Sequence, residues 1–306
     1  MDGDDMPHCL DLLFRPTKEM KFFEYELAIA AYIFGNNLDP KEMLIPDDYC
    51  MGTRKTLLTI MPGKPIIGDV TLVCSMMTKG PFGPSNIKLR TQWFLPPTFS
   101  QIVLSSKQKC SGTMKYIKDN FMGDLGGLHE IFVPIHLNGH WFLIVVNLLY
   151  KTVRYMDSFK GCTSMTVRKG VIDDVLTYLE KFVSDKNFQE TPSHENLQFS
   201  KYKFSEPAVP QQKAKSNDCG IWVAEWMILN HYWGVNKPWV VNDYSRLRLA
   251  VDLVYKWHNP KRHTIKDLAV ADWNKKMQHL IVSLDSDLRG CWRWFQRTKG
   301  RAKSRL

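Results

Sequence analysis

One cysteine in this sequence lies where a helix is predicted to begin. Residues 209–226 read VPQQKAKSNDCGIWVAEW, a polar loop followed by an apolar run. Because Asp is a preferred N-cap residue, we expect a helix to start at or near Asp218, with Cys219 in its first turn. The unpaired backbone N–H groups and the helix dipole of a first turn favour a thiolate over a thiol. Taken alone, Cys219 fits a buried cysteine without a chemical role equally well.

The neighbours of Cys219 suit nucleophilic chemistry. Gly220 is expected to leave space for a substrate backbone to approach the sulfur. A glutamine in the preceding loop, Gln211 or Gln212, could donate a side-chain N–H to an oxyanion beside the sulfur. Together these residues predict attack on a carbonyl group, provided that a base lies nearby.

A candidate base and its partner come from a predicted hairpin. A nucleophilic cysteine usually needs a base, and the base needs an acceptor that orients it. If strands over 140–148 and 152–157 pair around a turn near residues 148–149, positions whose numbers sum to about 297 face each other. His140 and Asp157 have that sum, so the imidazole and the carboxylate should meet at the open end of the hairpin. Without Cys219, the same two residues would indicate only a hairpin end and a turn.

Two other residues compete for these roles. His136 precedes the predicted turn between the first two strands, but it has no comparably placed carboxylate. Cys162 lies near Asp157 in the sequence, but it has neither a helix start nor a glutamine loop beside it. We therefore favour His140 as the base and Cys219 as the nucleophile.

Composition limits the class of protein. The chain has 306 residues, of which 44% are hydrophobic and 24% charged, as in a soluble globular protein of one large domain or two small ones. The seven cysteines are scattered without a C-x-x-C pair, which argues for a reducing compartment and against a disulfide framework or a zinc site. We recognise no membrane-spanning run and no signal peptide, and we expect no membrane partner.

The net charge of +10 is unevenly distributed. Residues 289–305 hold a run of Lys and Arg with no acidic residue. Such a run is typical of a nuclear-import signal, of a nucleic-acid-binding tail or of a solvated terminus. We expect the protein in the nucleus, with the cytoplasm as the alternative, and we regard nucleic acid as a less favoured partner.

The remaining patterns indicate an α+β chain. Helices are predicted over residues 22–34, 68–77, 99–105, 166–183, 244–257 and 273–288, and strands over residues 131–137, 140–148, 152–157 and 201–204. We expect a central, mostly antiparallel sheet flanked by helices. We divide the chain into an N-terminal extension with one helix (1–47), a catalytic domain (48–290) and a basic C-terminal tail (291–306).

The order of these motifs resembles one family. His140-Trp141 is followed by an aspartate in Tyr-Met-Asp-Ser-Phe, then by Pro-Gln-Gln, and then by Asn-Asp-Cys-Gly-Ile. This order of His, Asp, Gln and Cys is similar to that of the ubiquitin-like-protein-specific (SUMO/sentrin-type) cysteine proteases, and residues 32–42 resemble their plant members. The resemblance spans residues 57–233.

The resemblance implies a fold and an activity. The fold is the papain-like cysteine protease fold of the adenain and SUMO-protease type. The activity is cleavage after the C-terminal Gly-Gly of a SUMO-like modifier, either from a precursor or from a conjugate. The implied partners are that modifier and its conjugates. We expect a monomer that needs no metal or cofactor.

The resemblance also implies roles for particular residues. Cys219 would be the nucleophile, His140 the base, Asp157 the residue that orients the base, and Gln212 the oxyanion donor. At the substrate site, Trp141 would cover the tunnel that admits the glycines, and Asp218 and Gly220 would lie next to the bound chain.

Three features depart from the family pattern. Pro65 and Ile66 stand where members often carry a tryptophan that forms the second tunnel wall. The spacing to Cys219 leaves both Gln211 and Gln212 open as oxyanion donor. The stretch between Asp157 and Cys219 is long, which indicates an insertion near residues 184–200. An alternative function is therefore that of a protein of the same fold that binds a ubiquitin-like protein but has weak or no catalytic activity. A third hypothesis is a basic protein associated with nucleic acid, in which the cysteine site is incidental.

Overall fold

The computed structural model describes residues 10–47, 50–80, 90–105, 111–161, 164–185, 197–229 and 240–282. The chain divides into two compact units. One consists of Met1–Lys64 with Asn242–Leu306, and the other is Pro65–Val241. The predicted domain boundaries after residues 47 and 290 do not coincide with this division, and they stay predictions.

The strands form two sheets. In chain order they are β1 (Met43–Pro46), β2 (Met51–Thr53), β3 (Gln92–Phe94), β4 (Glu130–Leu137), β5 (His140–Asn147), β6 (Thr152–Met156) and β7 (Lys203–Ser205). Strands β3 to β7 form one sheet in that order, in which β4, β5 and β6 are antiparallel and the short outer strands pair in parallel. The predicted α+β class with a mostly antiparallel sheet is confirmed. Strands β1, β2 and β3 were not predicted.

Nine α-helices accompany these strands in the described residues. They are α1 (Glu24–Phe34), α2 (Arg54–Leu57), α3 (Asp69–Lys79), α4 (Pro97–Leu104), α5 (Ser111–Phe121), α6 (Met165–Ser184), α7 (Cys219–Leu229), α8 (Asp243–Tyr255) and α9 (Arg262–Val282). Most predicted helices agree with these to within two residues. The prediction over 273–288 is wrong at its start, since α9 begins eleven residues earlier, and its end falls outside the described residues.

The core of the unit 65–241 lies around β5. All eight residues of this strand are buried, and it lies in the middle of the five-stranded sheet. Helices α3 and α7 pack against each other. Helix α3 also packs on β3, and α7 packs on β5. Helix α4 packs on β4 and on α6. A strand surrounded in this way has no solvent face, which explains why its sequence is apolar almost throughout.

The register between β5 and β6 differs from the predicted one. Leu143 pairs with Met156 and Asn147 with Thr152, so facing positions sum to 299 instead of 297. The reason is a longer turn over residues 148–151, in which Lys151 adopts a positive φ of 50°. Because side chains alternate with a period of two, this displacement by two residues leaves each side chain on its predicted face.

The other unit is mainly helical. Helix α9 packs on α1 and α8, and α8 also contacts β1. The buried side chains of α9 follow an i, i+4 spacing that forms one narrow stripe: Ile265, Ala269, Trp273 and Met277. None of the helices in the described residues is both long enough and apolar enough to cross a membrane.

Candidate active site

The predicted nucleophile lies at the start of a helix. Helix α7 begins at Cys219, and the Trp222 N–H donates to the Asp218 carbonyl oxygen at 2.9 Å, which makes Asp218 the N-cap residue. The predicted helix start is therefore confirmed. The sulfur belongs to a buried side chain that is only 6% exposed. The backbone N–H groups of such a first turn lack intrahelical acceptors.

The predicted base and its acceptor meet at the end of the hairpin. Nε2 of His140 lies 2.7 Å from Oδ1 of Asp157, and the carboxylate is fully buried. His140 is the first residue of β5, whereas Asp157 directly follows the last residue of β6. The two side chains meet despite the displaced register because both lie on the same side of the hairpin, where the chain leaves β6.

His140 connects the carboxylate to the sulfur. His140 also forms a side-chain hydrogen bond with Cys219. Because Nε2 binds Asp157, Nδ1 is the ring nitrogen that is left for the sulfur. Burial lowers the pKa of His140, but the hydrogen bonds and charges of Asp157 and Cys219 outweigh burial and raise this pKa to about 9. The imidazolium form therefore persists through neutral pH.

The Asp157 carboxylate is held in its charged form. Burial raises its pKa, but hydrogen bonds from His140, Tyr155 and the Phe159 N–H bring the pKa below its usual range. Arg168 also pairs with this carboxylate, with Nη1 2.5 Å from Oδ2. Hydrogen bonds to the charged form and an adjacent cation both favour ionisation of a buried acid.

Sequence reasoning missed Tyr155 and Arg168 as neighbours of the site. A signal for Arg168 was present, because it occupies the apolar stripe of α6 together with the buried residues Ile172, Val175 and Leu179. A charged residue on the buried face of a helix requires a buried partner. No comparable signal marks Tyr155, since aromatic residues are common in strands.

The two candidate glutamines bind different groups. The amide nitrogen of Gln211 donates to two carbonyl oxygens, those of Asp157 at 2.9 Å and Val209 at 3.2 Å. The amide nitrogen of Gln212 donates to the Ser216 carbonyl oxygen at 2.9 Å. Since a primary amide has two N–H donors, these bonds use both donors of Gln211 but one of Gln212.

Trp141 and Gly220 are packed together by Ile66. The Trp141 indole N–H donates to the Ile66 carbonyl oxygen at 3.0 Å, and Trp141 is buried. A Cβ atom added to Gly220 would lie 2.3 Å from Cγ1 of Ile66 and 3.2 Å from Cδ1 of Trp141. The expected open space beside Gly220 is therefore wrong for this structure, because the Ile66 side chain fills it.

The rival residues are placed differently. His136 lies on β4 opposite Trp141, and their ring centroids are 4.6 Å apart. Burial, followed by the charge of His140, lowers the pKa of His136, so it does not share the environment that raises the pKa of His140. Cys162, the basic tail and most of the predicted insertion lie outside the described residues. Within the described ranges, no three His, Cys, Asp or Glu side chains form a group able to hold a metal ion.

The contact between Ile66 and Gly220 leads to a stability prediction. Gly220→Ala should lower the free energy of unfolding by about 1–3 kcal/mol, as overpacking of a core does. The double variant with Ile66→Ala should lose less than the sum of the two single variants, by about 0.5–3 kcal/mol. Urea unfolding followed by tryptophan fluorescence measures both quantities. Gly126→Ala is the control because a Cβ atom there would meet nothing within 4 Å. Strictly additive losses would contradict the contact.

Comparisons with known proteins agree with this geometry. Residues 108–230 match the model of the Ulp1 protease family, C-terminal catalytic domain. Ubiquitin-like-specific protease 1A of Arabidopsis thaliana is 25% identical over 178 residues, which are 57% of this chain and 33% of that protein. This chain therefore matches about a third of the length of that relative.

Solved structures show the same fold. The C-terminal Ulp1 protease domain in complex with Smt3, the yeast ortholog of SUMO, superposes with a TM-score of 0.55 at 18% identity, over 77% of this chain and 96% of that one. The catalytic domain of the Ulp1-like SUMO protease from Chaetomium thermophilum gives 0.51 at 17% identity, over 83% and 94%. The resemblance predicted from the sequence is confirmed by the match of residues 108–230 to the Ulp1 family model, which covers about two fifths of this chain.

Proposed function

We propose that this protein is a cysteine peptidase or isopeptidase that cleaves after the C-terminal Gly-Gly of a SUMO-like modifier. The observation that carries the proposal is the buried hydrogen-bonded series from Cys219 through His140 to Asp157. A nucleophile next to a base, with the base held by a carboxylate, is the arrangement that acyl transfer requires.

The choice of substrate class rests on the comparisons. The yeast Ulp1 domain was solved in complex with Smt3, and the Arabidopsis relative is named as a ubiquitin-like-specific protease. These names support a ubiquitin-like modifier as the partner of this chain. Its location in the nucleus and its monomeric state stay predictions.

In the first half of the proposed reaction, the sulfur attacks the carbonyl carbon of the last glycine. The reaction starts from the thiolate–imidazolium pair, in which His140 already holds the proton. The C–S bond forms, and the C–N bond to the leaving amine breaks as the imidazolium gives its proton to that amine. Asp157 stabilises the imidazolium by accepting its Nε2–H, and the modifier is left as a thioester on Cys219.

Water completes the cycle. It enters where the amine has left, and neutral His140 removes its proton as the water oxygen bonds to the thioester carbon. The C–S bond then breaks, which releases the modifier as a carboxylic acid and returns the thiolate–imidazolium pair; the acid then loses its proton to water. The buried position of Asp157 keeps its hydrogen bond to His140 away from competing water in both halves.

We assign the oxyanion donor to Gln212. Its amide nitrogen retains an N–H beyond the bond to Ser216, whereas both donors of Gln211 bind backbone carbonyls. The Ser158 hydroxyl donates to the side-chain oxygen Oε1 of Gln212 at 2.8 Å, which orients the side-chain amide. The Cys219 backbone N–H, in the first turn of α7, is the natural second donor.

A second function is favoured by one observation. The Ile66 side chain lies against Gly220, and the Ile66 carbonyl oxygen accepts from Trp141, so a modifier tail must pass beside Ile66 or displace it. A binder of a ubiquitin-like protein that turns over slowly, or not at all, would tolerate this packing. Cleavage and binding must therefore be measured on the same protein.

The first prediction compares two cysteines. Cys219→Ser should abolish cleavage of a SUMO precursor while the protein still binds the modifier, since oxygen is a far weaker nucleophile without thiolate character. Cys162→Ser is the matched control and should cleave at the wild-type rate. Cleavage is followed by gel and mass spectrometry, and binding by calorimetry. Activity in Cys219→Ser would remove Cys219 from the mechanism. An inactive wild type that binds the modifier would favour the second function.

The second prediction separates the two glutamines. Gln212→Ala should lower kcat by about 10²–10³, the loss that follows removal of one oxyanion donor. Gln211→Ala changes the same residue type one position earlier and should reduce kcat far less. Steady-state cleavage of a fluorogenic SUMO substrate measures both. Equal losses, or a larger loss for Gln211→Ala, would contradict the assignment.

A further inference from the structure

A buried arginine lies behind the carboxylate of the proposed catalytic site. Arg168, in the first turn of α6, is only 1% exposed. Its Nη1 is 2.5 Å from Oδ2 of Asp157 and donates to the Tyr155 hydroxyl at 2.6 Å, and its Nη2 donates to the Phe159 carbonyl oxygen at 3.1 Å. The guanidinium therefore holds the carboxylate, a neighbouring hydroxyl and the turn that follows Asp157.

The two oxygens of Asp157 have separate partners. Oδ1 accepts from Nε2 of His140 and from the Phe159 N–H, each at 2.7 Å. Oδ2 accepts from the Tyr155 hydroxyl and pairs with Arg168. This division fixes the orientation of the carboxylate, because turning it out of this plane would break hydrogen bonds at both oxygens at once.

The arginine also changes how strongly Asp157 attracts a proton. A cation next to a carboxylate reduces the negative potential that the carboxylate exerts on its other neighbours, and this reduction is greatest where water is excluded. With Arg168 in place, the site in its thiolate–imidazolium form is neutral: Cys219 and Asp157 carry negative charges, and His140 and Arg168 carry positive charges. Without Arg168, the full charge of Asp157 would act on His140.

We propose that Arg168 is a positioning residue that acts through Asp157 and sets how firmly His140 holds its proton. The Tyr155 hydroxyl, which contacts both Arg168 and Asp157, contributes to this effect. This inference rests on the proposed function, in which His140 must accept a proton and release it within one turnover. A carboxylate without the arginine would hold the imidazolium too firmly, and release of the proton to the leaving amine would slow.

The inference predicts opposite effects for two charge-removing variants. Arg168→Met should raise the pKa of His140 by roughly two units, the scale expected for a unit charge several ångströms away at an effective dielectric constant of about 20. Asp157→Asn should lower it, since the attracting charge is lost. Among the described residues, the other titratable groups that interact with His140 are Cys219 and His136, and both are unchanged in both variants.

The measurement is an NMR titration of the full chain with isotope-labelled histidine, without any substrate. His140→Asn identifies the His140 resonance. Arg154→Met is the matched control, because Arg154 lies on β6 and pairs with Glu130 at 3.4 Å, away from the carboxylate of Asp157. A raised pKa in Arg168→Met alone supports the inference. An unchanged or lowered pKa overturns it, since a merely structural role would loosen the hydrogen bond to Asp157 as Asp157→Asn does.

Kinetics provides the second readout. Arg168→Met should lower kcat near neutral pH by about tenfold at most, with KM unchanged, since the efficiency of proton transfer follows Brønsted behaviour. The alkaline limb of its pH profile should move upward with the pKa of His140, and Arg168→Lys should restore both. Because the titration needs no substrate, a protein that fails to cleave SUMO overturns the proposed function without deciding the role of Arg168.

A third variant keeps the inference testable if Arg168→Met does not fold. Tyr155→Phe removes only the hydroxyl that bridges Arg168 and Asp157, and the ring that packs on Phe142 and Phe204 remains. Loss of this donor should raise the pKa of His140 in the same direction but by less. A pKa equal to or below that of the wild type would overturn the inference.

Discussion

The hydrogen bond between His140 and Asp157 is the interaction on which the proposed chemistry depends. It joins a fully buried carboxylate that stays ionised to an imidazole that releases and regains a proton in the proposed reaction. A buried carboxylate is stable only when each oxygen has partners. The ends of β5 and β6, the turn at Phe159 and the first turn of α6 all contribute to that requirement. These elements therefore supply the hydrogen bonds that keep the Asp157 carboxylate ionised and in place.

The close approach of α7 to its surroundings is a second constraint. A helix that begins at the nucleophile brings its backbone N–H groups toward the reacting carbonyl, provided that nothing bulky follows the cysteine. In this chain the residue after Cys219 is Gly220, and the space at its Cα is taken by Ile66 and Trp141. The absence of a side chain at Gly220 thus lets Ile66 and Trp141 pack beside the nucleophile. Ile66 becomes part of the surface that a substrate tail meets.

Much of this arrangement could be predicted from the sequence because it follows local rules. The apolar run of β5 indicated a central strand, and the polar loop ending in Asp218 indicated the start of α7. The displaced β5–β6 register escaped prediction, since the length of the turn over residues 148–151 has no clear sequence signal. His140 and Asp157 were nevertheless paired, because a displacement by two residues preserves the face of a strand.

Contacts between distant segments could not be predicted. The position of Ile66 against Gly220 joins a loop to a helix more than 150 residues away, and no local pattern encodes it. The start of α9 was missed because its first turns are polar and only one narrow stripe, from Ile265 to Met277, is buried. Arg168 was visible as a charge within the apolar face of α6, but its partner could be identified only from the fold.

The central claim is that the sulfur of Cys219, activated by His140, reacts with the carboxyl end of a SUMO-like modifier. The most direct measurement is the intact mass and the peptide map of the protein after incubation with SUMO whose last glycine carries a vinyl sulfone. We expect a single adduct of one modifier per chain, located on Cys219 and absent from His140→Asn. An adduct on another cysteine would contradict the account. So would no adduct under conditions in which iodoacetamide still labels Cys219.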